Sequence, residues 1–299
     1  MTTIRILDPA EVETAVDWAA REGWNPGLAD ASAFLAQDKT AFRGLFRDGA
    51  LAAVISATAY AGGFAFVGFY ICRPDLRGQG LGFALWQDTF AGLIPTAPVF
   101  DRYREGIAQT PRGLVSTGTV GLDGVLAQQD NYARSGFVLA HRNIRYGGTA
   151  PAGASDPRVV DIAPAHLDGV AALDAACFGF ARPDFLNAWL APPFGRACAF
   201  VAEGAVKGYG VIRRCREGHK IGPLFADDAA AAAALFGTLV ATAQGGPVFL
   251  DVPEPNAAAR ALAAGAGLAP VFETARMYRG PAPELPLGRI FGITTFELG

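Results

Sequence analysis

The chain has 299 residues, room for two domains at the usual ~150 residues each. Hydrophobic residues make up 51% and charged residues 18%, which supports large cores and excludes a disordered chain. Lysine and arginine total 25 against 28 acidic residues, net −3, so nucleic-acid partners and membrane surfaces, which call for a basic excess, are not expected.

In chain order, TIRIL is a predicted strand, and Asp8-Pro9 caps a helix that runs to about Arg21. GWNPG (23–27) turns the chain into a second helix, ASAFLAQ. AFRGLFRD, ALAAVISAT and FAFVGFYICR follow as three strands. Residues 49–72 carry no charge and are long enough to span a bilayer. Gly62-Gly63 divides them, however, and the second part is aromatic and β-branched, so two strands joined by a turn fit better than a membrane helix. GQGLGFALWQDTFAGL is glycine-rich at its start and helical afterwards. TVGLDGV is a strand, DNYARS a short helix and FVLAHRNIRYGG a closing strand.

GGTAPAGASDP (147–157) has linker composition, giving domains at 1–148 and 156–299. The second half repeats the order: RVVDI, helices in AHLDGVAALDAACFG and RPDFLNAWL, strands in ACAFVAE, GYGVIRRC and HKIGPLFA, then an alanine-rich helix, PVFLDVP, NAAARALAAGA and PVFETARMY. Both halves read β-α-α-β-β-β-α-β-α-β, a diverged internal duplication. The tail LPLGRIFGITTFELG reads as extended and able to add a strand to one of the sheets.

Cys72, Cys177, Cys198 and Cys215 form no CxxC pair and have no histidine at zinc spacing, so no metal is expected. They read as free thiols in a reducing cytoplasm. The N-terminal MTTIRILDPAEVE lacks the apolar core of a secretion signal.

The chemistry lies in FVGFYICRPDLRGQGLGFALW (66–86). A strand runs into a loop with Gly78, Gly80 and Gly82, and the loop opens a helix. Alternate glycines let main-chain N–H groups converge, and the helix N-terminus adds positive potential, which together make a diphosphate cradle. No Gly-Lys-Ser/Thr follows, against a P-loop. The GxGxG spacing and the preceding antiparallel meander argue against a dinucleotide fingerprint.

Arg77-Gly78-Gln79-Gly80-Leu81-Gly82, preceded by Arg73-Pro74, resembles the acyl-CoA loop of the GNAT acetyltransferases, whose pattern is Gln/Arg-x-x-Gly-x-Gly/Ala. GLDGVLAQQDNYARSGF (121–137) is similar to that family's last motif, with Tyr132 four residues before Gly136. Over nearly the whole chain GWNPG, VGLDGVLAQQDNY and LGRIFGITTFELG resemble a tandem-GNAT subfamily. The segment 99–118 is longer than the helix-to-strand connection the family leads one to expect, and is either an insertion or part of the mouth of the site.

The resemblance implies an α+β fold of two GNAT-like domains, each with a mixed, mostly antiparallel sheet. It implies acetyl-CoA as acyl donor and an amine of a small acceptor as its target, by direct attack in a ternary complex. Residues 78–82 with Arg77 would hold the diphosphate, and the strand at Ile71, Cys72 and Arg73 the pantetheine arm. A main-chain N–H near Cys72 would polarise the thioester carbonyl. Tyr132 would return a proton to the departing thiolate; a packing tyrosine is the alternative. No glutamate stands in the strand 64–72, which leaves Asp123 as the best acidic candidate for a base. The same Asp123 reads equally as a turn-pinning residue, since Asp251 matches it in the second half. Trp24 and Asn25, in the loop between the first two helices, are the candidate acceptor contacts.

In the second half the cradle position reads Asp227-Asp228 and the tyrosine position Ala263, so this half is expected not to bind CoA. It would either wall the acceptor site or mediate a homodimer. A non-catalytic acyl-CoA sensor is the alternative to an N-acetyltransferase.

Overall fold

A computed structural model describes residues 1–93 and 118–299. The long segment at 99–118 lies, apart from Gly118, outside the described residues.

The first half runs β1 (Thr2–Ile6), α1 (Pro9–Arg21), α2 (Asp30–Gln37), β2 (Phe42–Arg47), β3 (Ala50–Tyr60), β4 (Phe64–Cys72), α3 (Leu81–Leu93), β5 (Thr119–Val125), α4 (Gln129–Arg134) and β6 (Val138–Thr149). The second repeats it as β7 (Val159–Asp161), α5 (Leu167–Phe178), α6 (Pro183–Trp189), β8 (Gly195–Ala202), β9 (Ala205–Arg214), β10 (His219–Ala226), α7 (Ala229–Val240), β11 (Pro247–Pro253), α8 (Ala257–Gly265) and β12 (Ala269–Arg279). The tail adds β13 (Ile290–Gly292), which pairs with β10. The expected repeat of elements is therefore present. Local chemistry sets the helix starts: Asp8 caps α1 in a capping box with Glu11, Pro9 occupies its first turn, and Asp228 and Asn256 cap α7 and α8. The apolar stretch at 49–72 forms the β3–β4 hairpin, and among the described residues no helix is long and apolar enough to cross a membrane.

All strands join one mixed, mostly antiparallel sheet in the order β1-β2-β3-β4-β5-β12-β6-β11-β10-β9-β8-β7. The centre of that order is an exchange. β12, the last strand of the second copy, lies between β5 and β6 of the first. β6, the last strand of the first copy, lies between β12 and β11 of the second. Gly147 and Gly148 belong to β6 rather than to the linker, which shortens the linker expected at 147–157. The physical reason is space: a Cβ at Gly147 would stand 2.8 Å from the Phe249 ring on the neighbouring strand.

Helices α1 and α2 of the first half and α5 and α6 of the second share one core, while α3 and α4, and α7 and α8, pack in separate clusters. Phe34 of α2 stacks on Trp189 of α6 with centroids 6.2 Å apart, and the largest apolar cluster runs from Val12 through Phe69 to Tyr209 and Phe296. The tail from Ile290 to Leu298 is buried, with Ile290, Ile293, Phe296 and Leu298 in this cluster and Phe291 in the core under α7 and α8.

Each copy contains one pair of parallel strands that pair briefly and then part. β4 and β5 pair only over Phe64–Val67 and Thr119–Leu122, leaving Gly68–Cys72 and Asp123–Val125 on either side of a gap. β10 and β11 likewise pair over His219–Ile221 and Val248–Leu250. The second gap is filled by the chain itself: β13 pairs with Leu224 and Phe225 of β10, and the Ile293 N–H donates to the Asp251 carbonyl at 2.8 Å.

Because the exchanged strands complete each other's sheet, residues 1–149 expressed alone should lack a cooperative unfolding transition by circular dichroism. Co-expression with 150–299 should restore a single transition and a 1:1 complex on size exclusion.

Candidate active site

The first gap opens into a cavity of about 620 Å³. One wall is the glycine loop, with Arg77, Gly78, Gly80, Leu81, Gly82 and Phe83. Gly78 and Gly80 have φ of +76° and +79°, a region side chains rarely enter, and the space beyond both is open. Helix α3 starts at Leu81, so its first amides face the cavity end without intrahelical partners. The loop is braced from behind: Arg77 pairs with Glu22 and donates to the Cys72 carbonyl at 3.0 Å, and Arg47 donates to Gln79 at 2.5 Å. The side chains of Arg73 and Gln79 are committed to Asp75 and Arg47, and neither residue lines the cavity.

β4 is bulged where it borders the gap. Val54 pairs with Ile71 and Ser56 with Gly68, so Phe69 and Tyr70 stand opposite the single residue Ile55. Phe69 sits at φ +49°, held there by rings of Phe42 (5.1 Å), Phe34 (5.7 Å) and Trp24 (6.5 Å). Beyond the bulge, the Arg73 N–H donates to Ala52 of β3. Alternation then points the N–H and C=O of Cys72 away from β3 toward the gap, in accord with its carbonyl accepting from Arg77. Burial pushes the Cys72 thiol up despite Arg77 and the Gly82 amide, so it is not an activated nucleophile.

Tyr132 lines the cavity from α4, its ring tilted on Trp86 at 5.6 Å and fitted into space left by Gly124. Burial holds its phenol well above the ordinary range, so it is protonated at neutral pH. Tyr70 of β4, whose ring also packs on Trp86 at 5.2 Å, is pushed up to about 12 for the same reason.

Asp123 reaches the cavity wall, but both carboxylate oxygens are taken. Arg276 holds them at 2.9 and 2.7 Å, and Asn143 donates to one at 2.8 Å. Although burial raises its carboxyl, Asp123 has no free oxygen to offer an incoming N–H, and it serves to pair Arg276 and Asn143, which corrects the reading of Asp123 as base. Asp251, its counterpart, is held by Arg145 in the same way at 2.6 and 2.8 Å.

Trp24 lines the cavity, whereas Asn25 does not. The Asn25 carboxamide accepts from the Glu217 N–H and donates to its carbonyl, tying the loop to the second half, which corrects its reading as an acceptor contact. The cavity is completed by residues that sequence reasoning missed: Phe272 and Thr274 of β12 and Phe296 and Glu297 of the tail. No spacing connects position 297 with position 68. Yet a Cβ on Gly68 would overlap the Glu297 carbonyl oxygen, so the tail lies directly against the bulge. Among the described residues no cluster of His, Cys, Asp or Glu is arranged to hold a metal ion.

Asp123→Asn should cost about 3–5 kcal/mol of stability, because it leaves Arg276 buried without its counter-charge. Chemical denaturation checks this; the double change Asp123→Leu with Arg276→Met should recover much of the loss.

Residues 170–292 match the family model described as an acetyltransferase (GNAT) domain. The chain is 29% identical over 286 residues to the holothin acyltransferase of Pseudoalteromonas sp. (strain SANK 73390), covering 95% of this chain and 90% of that protein. Its fold is similar to a Pyrococcus horikoshii structure classed with the acetyltransferases (TM-score 0.78, 20% identity, 100% and 96% of the two chains). It is also similar to a tandem GNAT protein from the clavulanic acid biosynthesis pathway (TM-score 0.61, 14% identity, 94% and 100%). A duplicated element order, a glycine loop beside a splayed strand pair and these matches agree: residues 170–292 match a GNAT domain, and the chain as a whole is similar to acyltransferases of the GNAT superfamily with tandem architecture.

Proposed function

We propose that the protein moves an acyl group from acyl-CoA, with acetyl-CoA as the donor, to the amine of a small acceptor. One observation carries this reading: a single cavity joins the glycine loop, the free edge of β4 and Tyr132 to a wall of aromatic residues. In this reading the amides of residues 78–82 hold the donor's diphosphate and the free edge at Ile71 and Cys72 takes its pantetheine arm. The Cys72 N–H, aimed into the gap, supports the carbonyl oxygen as negative charge develops there. Tyr132, fully protonated, supplies the proton that the departing thiolate needs.

The acceptor end is rich in aromatic residues, Trp24, Phe69, Phe272 and Phe296, with Thr274 and Glu297 beside them. These residues suit an acceptor with a planar or apolar body. The Pseudoalteromonas relative is named for acyl transfer to holothin, which supports a small-molecule acceptor here. The second copy takes no part in donor binding in this reading. Its gap holds β13, Asp228 caps α7, and Asp227 is paired with Arg289 and Lys207.

Calorimetric titration of the full chain with CoA should show one saturable site per chain. Gly80→Val should weaken it by at least about tenfold, since the loop loses its positive φ. No change in affinity would overturn the cradle.

Thiol release from acetyl-CoA, followed across a panel of primary amines, tests transfer itself. Tyr132→Phe should lower kcat by about 10²-fold with CoA affinity unchanged. Because burial raises the phenol above its ordinary value of about 10, the wild-type rate should show no alkaline fall below pH ~10.

A further inference from the structure

We propose that Glu297, carried into the site of the first copy by the C-terminal tail of the second, is the base that takes the proton from the acceptor amine. This inference rests on the acyl-transfer reading above and names the residue that reading lacks.

Four observations converge on it. Glu297 lines the same cavity as Tyr132, and its main chain lies against Gly68 at the β4 bulge, where β4 and β5 have already parted. The residue is only 4% exposed, and its Oε1 has no hydrogen-bond partner among the described residues. A buried carboxylate oxygen left unpartnered is costly in a folded protein, and it is what an incoming N–H donor would satisfy. The other acidic groups of the neighbourhood are spent: Asp123 on Arg276, Asp251 on Arg145 and Asp30 on Arg213. Glu22, at the donor side, is spent on Arg77.

The groups that act on Glu297 come from several elements. Lys220 of β10 and Arg145 of β6 favour its ionised form, as does Arg213 of β9, while Asp30 of α2 opposes it. Lys220 is 1% exposed; it donates to the Trp24 carbonyl at 3.4 Å and has no carboxylate within ion-pair distance among the described residues. Glu297 therefore supplies the negative charge that this buried group of cations otherwise lacks. Burial raises the Glu297 carboxyl and lowers the Lys220 ammonium, bringing both closer to neutrality. A carboxylate lifted in this way accepts a proton more readily than a solvated one.

The step balances as follows. The amine nitrogen forms a bond to the thioester carbonyl carbon, and the nitrogen's surplus proton passes to the Glu297 carboxylate. The carbon–sulfur bond breaks with its electron pair on sulfur, and Tyr132 gives that sulfur its proton. The proton on Glu297 returns to the Tyr132 phenolate through solvent, so the products are an amide and CoA thiol.

The test is the pH dependence of kcat for acetyl transfer, between pH 5 and 10, for the full-length protein and two variants. The acceptor is whichever of tryptamine, spermidine or glucosamine the wild type acetylates fastest. Glu297→Gln should lower kcat about 10²-fold at pH 7 and remove the acid limb of the wild-type profile, with CoA affinity unchanged. Glu297→Asp keeps the charge opposite Lys220 but withdraws the carboxylate by one methylene. It should melt like the wild type, bind CoA equally and still lose at least about tenfold in kcat. Wild-type rates and an intact acid limb in either folded variant overturn the assignment of Glu297 while leaving acyl transfer standing. A wild type that acetylates none of the three amines overturns the acyl-transfer reading and this inference with it.

Discussion

Two buried arginine–aspartate pairs hold the middle of this molecule. Arg145 of β6 faces Asp251 of β11, and Arg276 of β12 faces Asp123 of β5, each directly opposite its partner in the sheet. Each arginine comes from the last strand of one copy and each aspartate from the fifth strand of the other. The pairs are thus two versions of one interaction, related by the duplication. A buried guanidinium is tolerated only where a carboxylate meets it in good geometry. A slip of either exchanged strand by one residue would turn its arginine to the opposite face and leave both charges unpaired, so the pairs favour one register as well as one partner. That register sets where β5 stands relative to β4, and so the width of the gap that becomes the cavity.

The two gaps diverge in what they contain. In the second copy, β13 seals the space between β10 and β11, and the helix that follows begins on an aspartate cap. In the first copy the equivalent space is left open, the helix begins at a glycine loop, and the bulge at Phe69 and Tyr70 turns the strand edge toward it. The family model matches residues 170–292, the copy whose gap is filled, while the features suited to an acyl donor stand in the other copy. The family-model match and the open cavity therefore fall on different halves of one chain. A match in fold reports how strands and helices are arranged, and the loop chemistry has to be read separately.

Much of the architecture was legible because local signals mark it. Asp8-Pro9 starts α1, Gly62-Gly63 turns β3 into β4, and strands 119–125, 219–226 and 247–253 fall where their β-branched and aromatic runs place them. The glycine loop before α3 was legible too, and Gly78 and Gly80 adopt a positive φ that glycine enters without strain. What stayed hidden was everything decided by pairing between distant strands. Nothing local in β12 tells that it lies between β5 and β6, because its neighbours are chosen by Arg276 meeting Asp123 more than 150 residues away in sequence. Asn25 misled for the opposite reason. It sits in a conspicuous turn, yet its φ of +51° and its two hydrogen bonds to Glu217 serve the contact between halves.

The tail shows how these levels combine. The same stretch that fills the second gap with Ile290–Gly292 continues to Phe296 and Glu297 at the floor of the first. Sealing one gap and furnishing the other are therefore not independent. The backbone that β10 and β11 grip through β13 and Ile293 is a few residues from the carboxylate at the site. Its approach is limited by Gly68, where any side chain would collide with the Glu297 carbonyl. The glycine-loop wall of the cavity is built by the first copy, and the wall of Phe272, Thr274, Phe296 and Glu297 is finished by the second. A change that loosens the closed gap should accordingly be felt in the open one, even though no residue of β13 lines the cavity.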